Sequence, residues 1–398
     1  MMHGVGAGID LLAADANADP HTLFHRLRAE GPIHWCDAQH AWLVVSHDAV
    51  LEGFKTSWLS SDRMPFFERA AAHRDTRFAR VVELLRGWMV FRDPPAHTRL
   101  RDPVRQVFTP RRLASMEPLI EATADDLLDS LDGDLVSAFT RPLPALVIAD
   151  LLAIPRDDRA EFQKWSDELA SVVFAAESRD QDTDRASAAA EQFFDYFGEL
   201  VEHRRRHPGD DVLSALVTAS GERAPDPAEL VGACTLLLFA GHETTAGLLA
   251  NGTTVLLEHD EARARLAEAP SLWPTAVDEL LRMEGPSKVM FRKVADDHVW
   301  LGEQLHVGDS VMLGILAADR DPAVFAEPDR FDVGRDPNPH VAFGWGLHHC
   351  LGAALARLEA RVALRRLFER FPRLAVAGVP RWGGGVIGRG VASVQVTT

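Results

Sequence analysis

From Leu230 to Leu257 almost every position is apolar, the longest such run in the chain. An apolar surface all round suits a helix buried on every side. His242, Glu243, Asn251 and several threonines interrupt the run, so it reads as a core helix rather than a membrane span. From about residue 94 to 285 apolar positions recur at helical spacing almost throughout. Breaks are predicted at Pro142, Pro155, Pro208 and the GERAPDP segment. Residues 33–46, IHWCDAQHAWLVVS, are two strand-like runs around a polar centre and predict a hairpin. HVWLGEQLHVGDSVMLGIL, 298–316, alternates like strands, with turn signals at Gly302 and at Val307-Gly308-Asp309. A stretch broken by Pro and Gly but rich in apolar anchors follows, and predicts an ordered meander. Helical periodicity returns from Leu351 to Phe371, and the last 25 residues are Gly-rich with short strands. The pattern predicts a mainly α chain with a minor β region built from both ends. No repeat or linker divides it, which predicts a single domain over residues 1–398.

Composition narrows the function. A 46% hydrophobic and 25% charged chain of 398 residues is ordinary for a globular enzyme. A net charge of −17 repels nucleic acid and anionic membranes, so neither is expected as a partner. Cys36, Cys234 and Cys350 are too widely spaced for a disulfide framework and fit a reducing compartment. The N-terminus has neither a basic n-region nor a sustained apolar h-region. A cytoplasmic protein without a membrane anchor is expected.

Cys350 stands at the entry to the helix predicted after it, where backbone N–H groups and the helix dipole favour an anionic sulfur. Gly344 and Gly346 allow a tight loop, and Gly352 lets another body approach the backbone. Three readings stand on these residues alone. One is an axial thiolate to a flat macrocycle. Another is a zinc site using His348, His349 and Cys350, although adjacent residues converge poorly on a tetrahedral ion. The third is a buried structural cysteine.

The motif F-G-x-G-x-H-x-C-x-G at 343–352 resembles, at every defined position, the haem-ligand signature of the cytochrome P-450 family, soluble bacterial type. The resemblance extends over nearly the whole chain. It implies one large mainly α domain with a minor β region, holding haem b between a long central helix and a proximal cysteine-loop helix. It implies Cys350 as the proximal iron ligand, Phe343 shielding the sulfur, His348 reaching a haem propionate and Gly352 beside the cofactor. Glu279-Leu-Leu-Arg282 is similar to the family's E-x-x-R helix. The same spacing occurs at Glu83–Arg86, Glu202–Arg205 and Glu327–Arg330, so its place before the meander distinguishes it. The family pattern implies a lock to a meander arginine, Arg330 or Arg335, around FAEPDRF at 325–331. DPPAHTRLR, 93–101, is similar to a segment whose His and Arg bind propionates, implying His97 and Arg101, with Arg292 as a further cation. Pro103 departs from that pattern and is expected to kink or end the helix early.

Ala240-Gly241-His242-Glu243-Thr244-Thr245 resembles the family's oxygen-activating segment, and the polar cluster is expected to be buried. It implies that Gly241 leaves room for a diatomic ligand, Thr244 supplies a hydroxyl and Glu243 an exchangeable proton. The implied reaction takes two electrons, two protons and O2, and places one oxygen atom in a C–H bond. Thiolate donation favours O–O cleavage. The chain ends about fifty residues after Cys350, leaving no room for a fused flavin or iron–sulfur domain. Electrons are therefore expected from a separate ferredoxin and ferredoxin reductase. Arg105, Arg111, Arg112, Arg357, Arg361, Arg365 and Arg366 form either a docking patch for an acidic ferredoxin or solvated helix faces paired with acids.

By the same analogy Trp88, Leu237, Ser287, Lys288, Val289 and Val386 line a substrate pocket for a hydrophobic small molecule, terpenoid, steroid or polyketide-like. Lys288 would either snorkel to solvent or meet a polar group of the substrate. Three other classes compete. A haem-thiolate sensor would need neither Glu243 nor Thr244, and a peroxide-driven enzyme would dispense with both. A zinc hydrolase using His242-Glu243 lacks the second histidine of H-E-x-x-H, since position 246 is alanine.

Overall fold

The computed structural model describes residues 9–13, 16, 18–73, 77–106, 108–155, 158–173, 180–209, 211–218 and 226–398. The predicted hairpin forms: β1 (Ile33–Cys36) pairs antiparallel with β2 (Ala41–Val44), Ile33 opposite Val44. With β3 (Leu59–Ser60), β4 (Val289–Val294) and β7 (Ser310–Gly314) these strands make a five-stranded sheet, ordered β1-β2-β7-β4-β3. Only β2 and β7 run parallel in it. β5 (His298–Trp300) and β6 (Glu303–Leu305) close on each other across Gly302, whose φ of 90° answers the predicted turn. The expectation of a sheet built from both ends is corrected. The C-terminal strands make two small sheets of their own, β8 (Ala375–Val376) with β11 (Val396–Thr397) and β9 (Arg381–Gly384) with β10 (Arg389–Ser393).

Helices fill most of the expected 94–285 region. Pro142 and Pro227 each open a helix, where the missing N–H is no loss, while Pro155 and Pro208 lie beyond helix ends. Residues 221–225 of the GERAPDP break lie outside the described residues. The apolar run forms one 31-residue helix, Pro227–Leu257, called the central helix below. It is long and apolar enough to cross a membrane, yet 67% of its most apolar window is buried in protein, as for a core helix. Thr235, Thr253 and Thr254 spend their hydroxyls on carbonyls of the preceding turn. Asn251 donates to the Glu284 and Arg389 carbonyls and accepts from the Val391 N–H. These bonds offset the cost of burying polar groups in an apolar helix.

The chain's contacts gather into two compact units. One comprises Met1–Ser60, Glu117–Leu143 and Thr244–Thr398; the other comprises Ser61–Met116 and Pro144–Glu243. In the first, β2 is buried on both faces. Trp42 and Val44 enter one apolar cluster with Val311 and Leu313, Ala41 and Leu43 the opposite cluster with Phe24, Val289 and Met312. This follows from the two-residue period of a strand.

Along the Pro110–Asp129 helix, Glu117, Glu121, Asp125 and Asp129 stand four residues apart. They pair with Arg361 (2.9 Å), Arg365 (2.7 Å), Arg366 and Arg370 (2.6 Å) of the Ala353–Arg370 helix. Arg357 pairs with Asp278 at 2.7 Å. Of the two readings of Arg357, Arg361, Arg365 and Arg366, these pairs are the ones expected of helix faces matched with acids. The same helix buries Glu359, 2% exposed, whose Oε2 has no hydrogen-bond partner among the described residues. Burial pushes its carboxyl well above the ordinary range.

In the second unit, Phe162, Trp165, Phe193, Tyr196 and Phe197 pack ring on ring between the Arg159–Val173 and Asp180–Arg206 helices. The Arg77–Arg86 helix ends at Gly87, which crosses Gly232 of the central helix backbone to backbone. A Cβ on Gly87 would lie 2.7 Å from the Gly232 Cα, and one on Gly232 2.4 Å from the Leu84 carbonyl oxygen.

Gly87→Ala and Gly232→Ala are each expected to destabilise by about 1–3 kcal/mol through forced separation. Gly198→Ala, mid-helix with open space where its Cβ would sit, should stabilise by about 1 kcal/mol. Denaturant melts of the three variants check the contrast. Glu359→Gln should also stabilise. The native carboxyl holds its proton to higher pH than the unfolded one, near 4.3. Wild-type stability from this group is therefore lost as pH rises above that value, and the gap to the variant should widen from pH 5 to pH 8.

Candidate active site

In the first unit the loop before the Ala353–Arg370 helix carries the cysteine motif. Gly344 and Gly346 sit at φ 66° and 71°, the left-handed region that glycine adopts without strain. Their turns let the Cys350 N–H reach back to the Phe343 carbonyl oxygen at 2.9 Å. The two glycines also fit against Phe54, where a Cβ on Gly346 would come within 3.0 Å of the Phe54 carbonyl oxygen. Cys350 is exposed, whereas Cys36 and Cys234 are buried and their thiols pushed up to about 12 by desolvation. His348 ends a short 3-10 turn, Gly346–His348, and is half-buried. Gly352 precedes the helix with open space where a Cβ would stand.

Phe343 is held from behind. The Arg357 guanidinium lies 4.5 Å from its ring centre, and Asp278 fixes Arg357 and accepts from His340 at 3.2 Å. Burial works to raise the Asp278 carboxyl, but the hydrogen bonds from His340 and Arg357 and the Arg357 charge hold it below its ordinary range. Sequence reasoning missed Asp278, because its partners stand 62 and 79 residues away and carry no local signal. Arg292 lies on β4, 7% exposed, with its guanidinium over the Phe54 ring.

Glu279 and Arg282 are fully buried and bonded to each other twice, at 2.7 and 2.8 Å. Of the two meander arginines, Arg335 completes the lock, its Nε 3.1 Å from Glu279 Oε1. Arg330 turns instead to Glu327. Glu279 accepts further from the Asp332 N–H and Asn338, while Arg282 donates to the carbonyls of Asp319, Pro328 and Arg330. Both charges are thus surrounded by hydrogen-bonding groups, as burial of a pair requires. Asp319, itself fully buried, accepts from the Val341 N–H just ahead of the cysteine loop.

In the second unit the Ala96–Arg105 helix carries His97 and Arg101 ahead of Pro103 and ends two residues after that proline. His97 is 1% exposed, and burial with Arg101 beside it lowers its pKa. On the central helix, Gly241 packs on Ile148, whose side chain would lie 3.0 Å from an added Cβ. The missing side chain thus admits the Pro142–Leu151 helix, which corrects the expectation that it clears room for a diatomic ligand. His242 and Thr245 are buried, but Glu243 is 44% exposed and Thr244 is exposed too. The expected burial holds for His242 and Thr245 and is corrected for Glu243 and Thr244, because residues three apart share one helix face and the two between them take the other.

Of the predicted pocket residues, Trp88, Lys288 and Val289 have no accessible surface and cannot line an open cavity. Trp88 stacks with Phe91 and Phe239, and its indole N–H donates to Thr235. Lys288 neither snorkels nor faces a cavity. Its Nζ donates to the Leu11 carbonyl at 3.1 Å, and burial lowers its pKa to about 8. Leu237 is nearly buried, while Ser287 and Val386 are half-buried. Among the described residues, the one cluster with metal-ligand spacing is Asp167, His242 and Glu243, so the zinc reading of His348, His349 and Cys350 finds no support in the geometry.

Arg282→Ala is expected to cost about 3–5 kcal/mol, since it leaves Glu279 buried with part of its partners gone. Arg330→Ala removes an exposed pair and should stay within about 0.5 kcal/mol of wild type. Urea unfolding of both variants separates a buried lock from a surface bridge.

A model of the family described as cytochrome P-450 matches residues 271–378, which include the lock, the meander and the cysteine loop. A vitamin D(3) 25-hydroxylase of Pseudonocardia autotrophica is 40% identical, the match covering 92% of this chain and 90% of that protein. The cytochrome P-450 monooxygenase PikC of Streptomyces venezuelae is also 40% identical, covering 92% of this chain and 87% of its own. Among solved structures, P450BioI in complex with an acyl carrier protein bearing hexadec-9Z-enoic acid superposes with a TM-score of 0.89 at 33% identity. That match covers 97% of this chain and all of the other. The chain therefore belongs to the cytochrome P-450 family of haem b monooxygenases.

Proposed function

We propose that the protein hydroxylates a hydrophobic small molecule in the cytoplasm, with electrons from a separate ferredoxin and ferredoxin reductase. The observation that carries the reading is the exposed Cys350 at the apex of a glycine-turned loop, behind which a fully buried Glu279–Arg282–Arg335 lock holds the meander. The donor set fits haem b: one accessible sulfur with Gly352 open beside it, in no group of three metal-ligand residues among the described residues. Bound there, haem supplies the reductive activation of O2 and the transfer of one oxygen atom to carbon.

The chain's own residues set the conditions. Cys350 would hold the iron through its sulfur, and Phe343, whose ring Arg357 steadies, would stand beside that sulfur. The resemblance assigns the propionates to Arg292 and His348 of the first unit and to His97 and Arg101 of the second; the arginines would offset the charge of a buried dianion and the histidines would donate hydrogen bonds to it. Thr244 would supply a hydroxyl, and Glu243 a proton, from the accessible face of the central helix. Ser287 and Val386 of the first unit keep partial exposure and remain the candidates for substrate contact. The names of the relatives point to large lipid-like compounds, a vitamin D(3) hydroxylase and a complex with an acyl-carrier-bound fatty chain. A steroid, terpenoid or polyketide-like molecule is the substrate class this supports.

The test is the optical spectrum of the dithionite-reduced protein under carbon monoxide. A Soret band at the long-wavelength position of thiolate ligation is expected, and Cys350→His should move it to the short-wavelength position. A folded protein without haem, or an unchanged band in that variant, overturns the assignment. Titration of vitamin D3 and of hexadec-9Z-enoic acid against the ferric spin state then ranks the two substrate types.

A further inference from the structure

We propose that Asp167 and His242 form a proton relay that loads Glu243; the proposal rests on the proton-donor role assigned to Glu243 above. All three residues belong to the second unit. The central helix turns His242 into the protein, 2% exposed, with Nδ1 2.7 Å from the Leu238 carbonyl oxygen one turn back. A carbonyl oxygen only accepts, so Nδ1 carries a hydrogen whether the ring is neutral or charged. Nε2 is therefore the nitrogen that changes protonation, and it lies 3.1 Å from Glu243 Oε1. The Arg159–Val173 helix brings Asp167 to the same place. A ring nitrogen of His242 and one carboxylate oxygen from each acid lie within 4.8 Å of one another.

Asp167 and Glu243 are both open and His242 is buried between them, so the direction follows from use: a proton spent at Glu243 is replaced through His242. The imidazolium passes its Nε2 proton to Glu243 Oε1 and becomes a neutral ring that keeps the Nδ1–H bond to Leu238. The freed Nε2 lone pair takes a proton from the Asp167 carboxyl, and Asp167 recovers one from water. One proton enters and one is delivered, with no change of oxidation state and no break in the helix. A divalent cation is the competing use of the same atoms. Zinc would draw all three ligand atoms onto one centre at about 2.0–2.2 Å. A relay needs no such convergence and tolerates one bridging water. Asp167 and His242 act through Glu243 and are positioning residues.

The test uses the holoenzyme and four variants: Asp167→Asn, Asp167→Glu, His242→Phe and Glu243→Gln. One readout is the 15N spectrum of the His242 ring in the diamagnetic ferrous carbonyl form. The other is the share of consumed O2 released as hydrogen peroxide during reduction by a surrogate ferredoxin and reductase. The relay predicts a hydrogen on Nδ1, an Nε2 signal that responds to Asp167→Asn, and a peroxide share raised several-fold by Asp167→Asn and His242→Phe. Asp167→Glu should restore the wild-type share, which a merely structural role would not require. A ring with its hydrogen on Nε2 alone, or wild-type peroxide release in Asp167→Asn, overturns the relay. If Glu243→Gln also leaves peroxide release unchanged, the donor role of Glu243 fails first. Zinc ions that shift the His242 signals in wild type but not in Asp167→Asn would overturn the relay in favour of a cation site.

Discussion

A carboxylate and a guanidinium with no accessible surface can persist only where every remaining donor and acceptor is met. Glu279 and Arg282 satisfy that condition by drawing in the meander: Arg335, Asn338 and the Asp332 N–H on one side, three backbone carbonyls on the other. The irregular stretch between β7 and the cysteine helix has little regular secondary structure to hold it. Its shape follows from the need to solvate two buried charges. Asp319 and Asp278 extend the same logic toward Val341 and Phe343, so the loop bearing Cys350 is fixed by electrostatics behind it.

Charge matching also explains how a chain with a net charge of −17 holds so many arginines along one helix. The acids of the Pro110–Asp129 helix stand at the spacing of one helical face, and the arginines of the Ala353–Arg370 helix meet them in turn. Each such half-exposed pair contributes little by itself, about 0–1 kcal/mol. Their collective effect is to set which helix faces which, and to leave less unpaired positive charge than the sequence of that helix alone implies.

The central helix divides its labour by position. Glycines at 232 and 241 admit neighbouring chains, threonines and Asn251 satisfy their own polarity, and His242 faces inward beside an outward Glu243. A helix that is apolar nearly all round can afford outward polar groups only at a few places. In this chain they fall on the segment that resembles the family's oxygen-activating motif.

The hairpin at 33–46, the strands within 298–316, the central helix and the helix after Cys350 were all legible in the sequence, because periodicity and turn residues act locally. The cysteine motif and the E-x-x-R helix were equally legible, since tight spacing carries their chemistry. What tertiary structure decided were the pairings across long separations. Arg335 rather than Arg330 closes the lock, Arg361 and Arg365 find acids, Lys288 finds the Leu11 carbonyl, Gly241 meets Ile148, and Asp167 joins His242. The sequence by itself determined which segments become helix or strand and which loop carries the sulfur. It could not determine which charged or small residue faces which partner, because that depends on packing between elements distant in the chain.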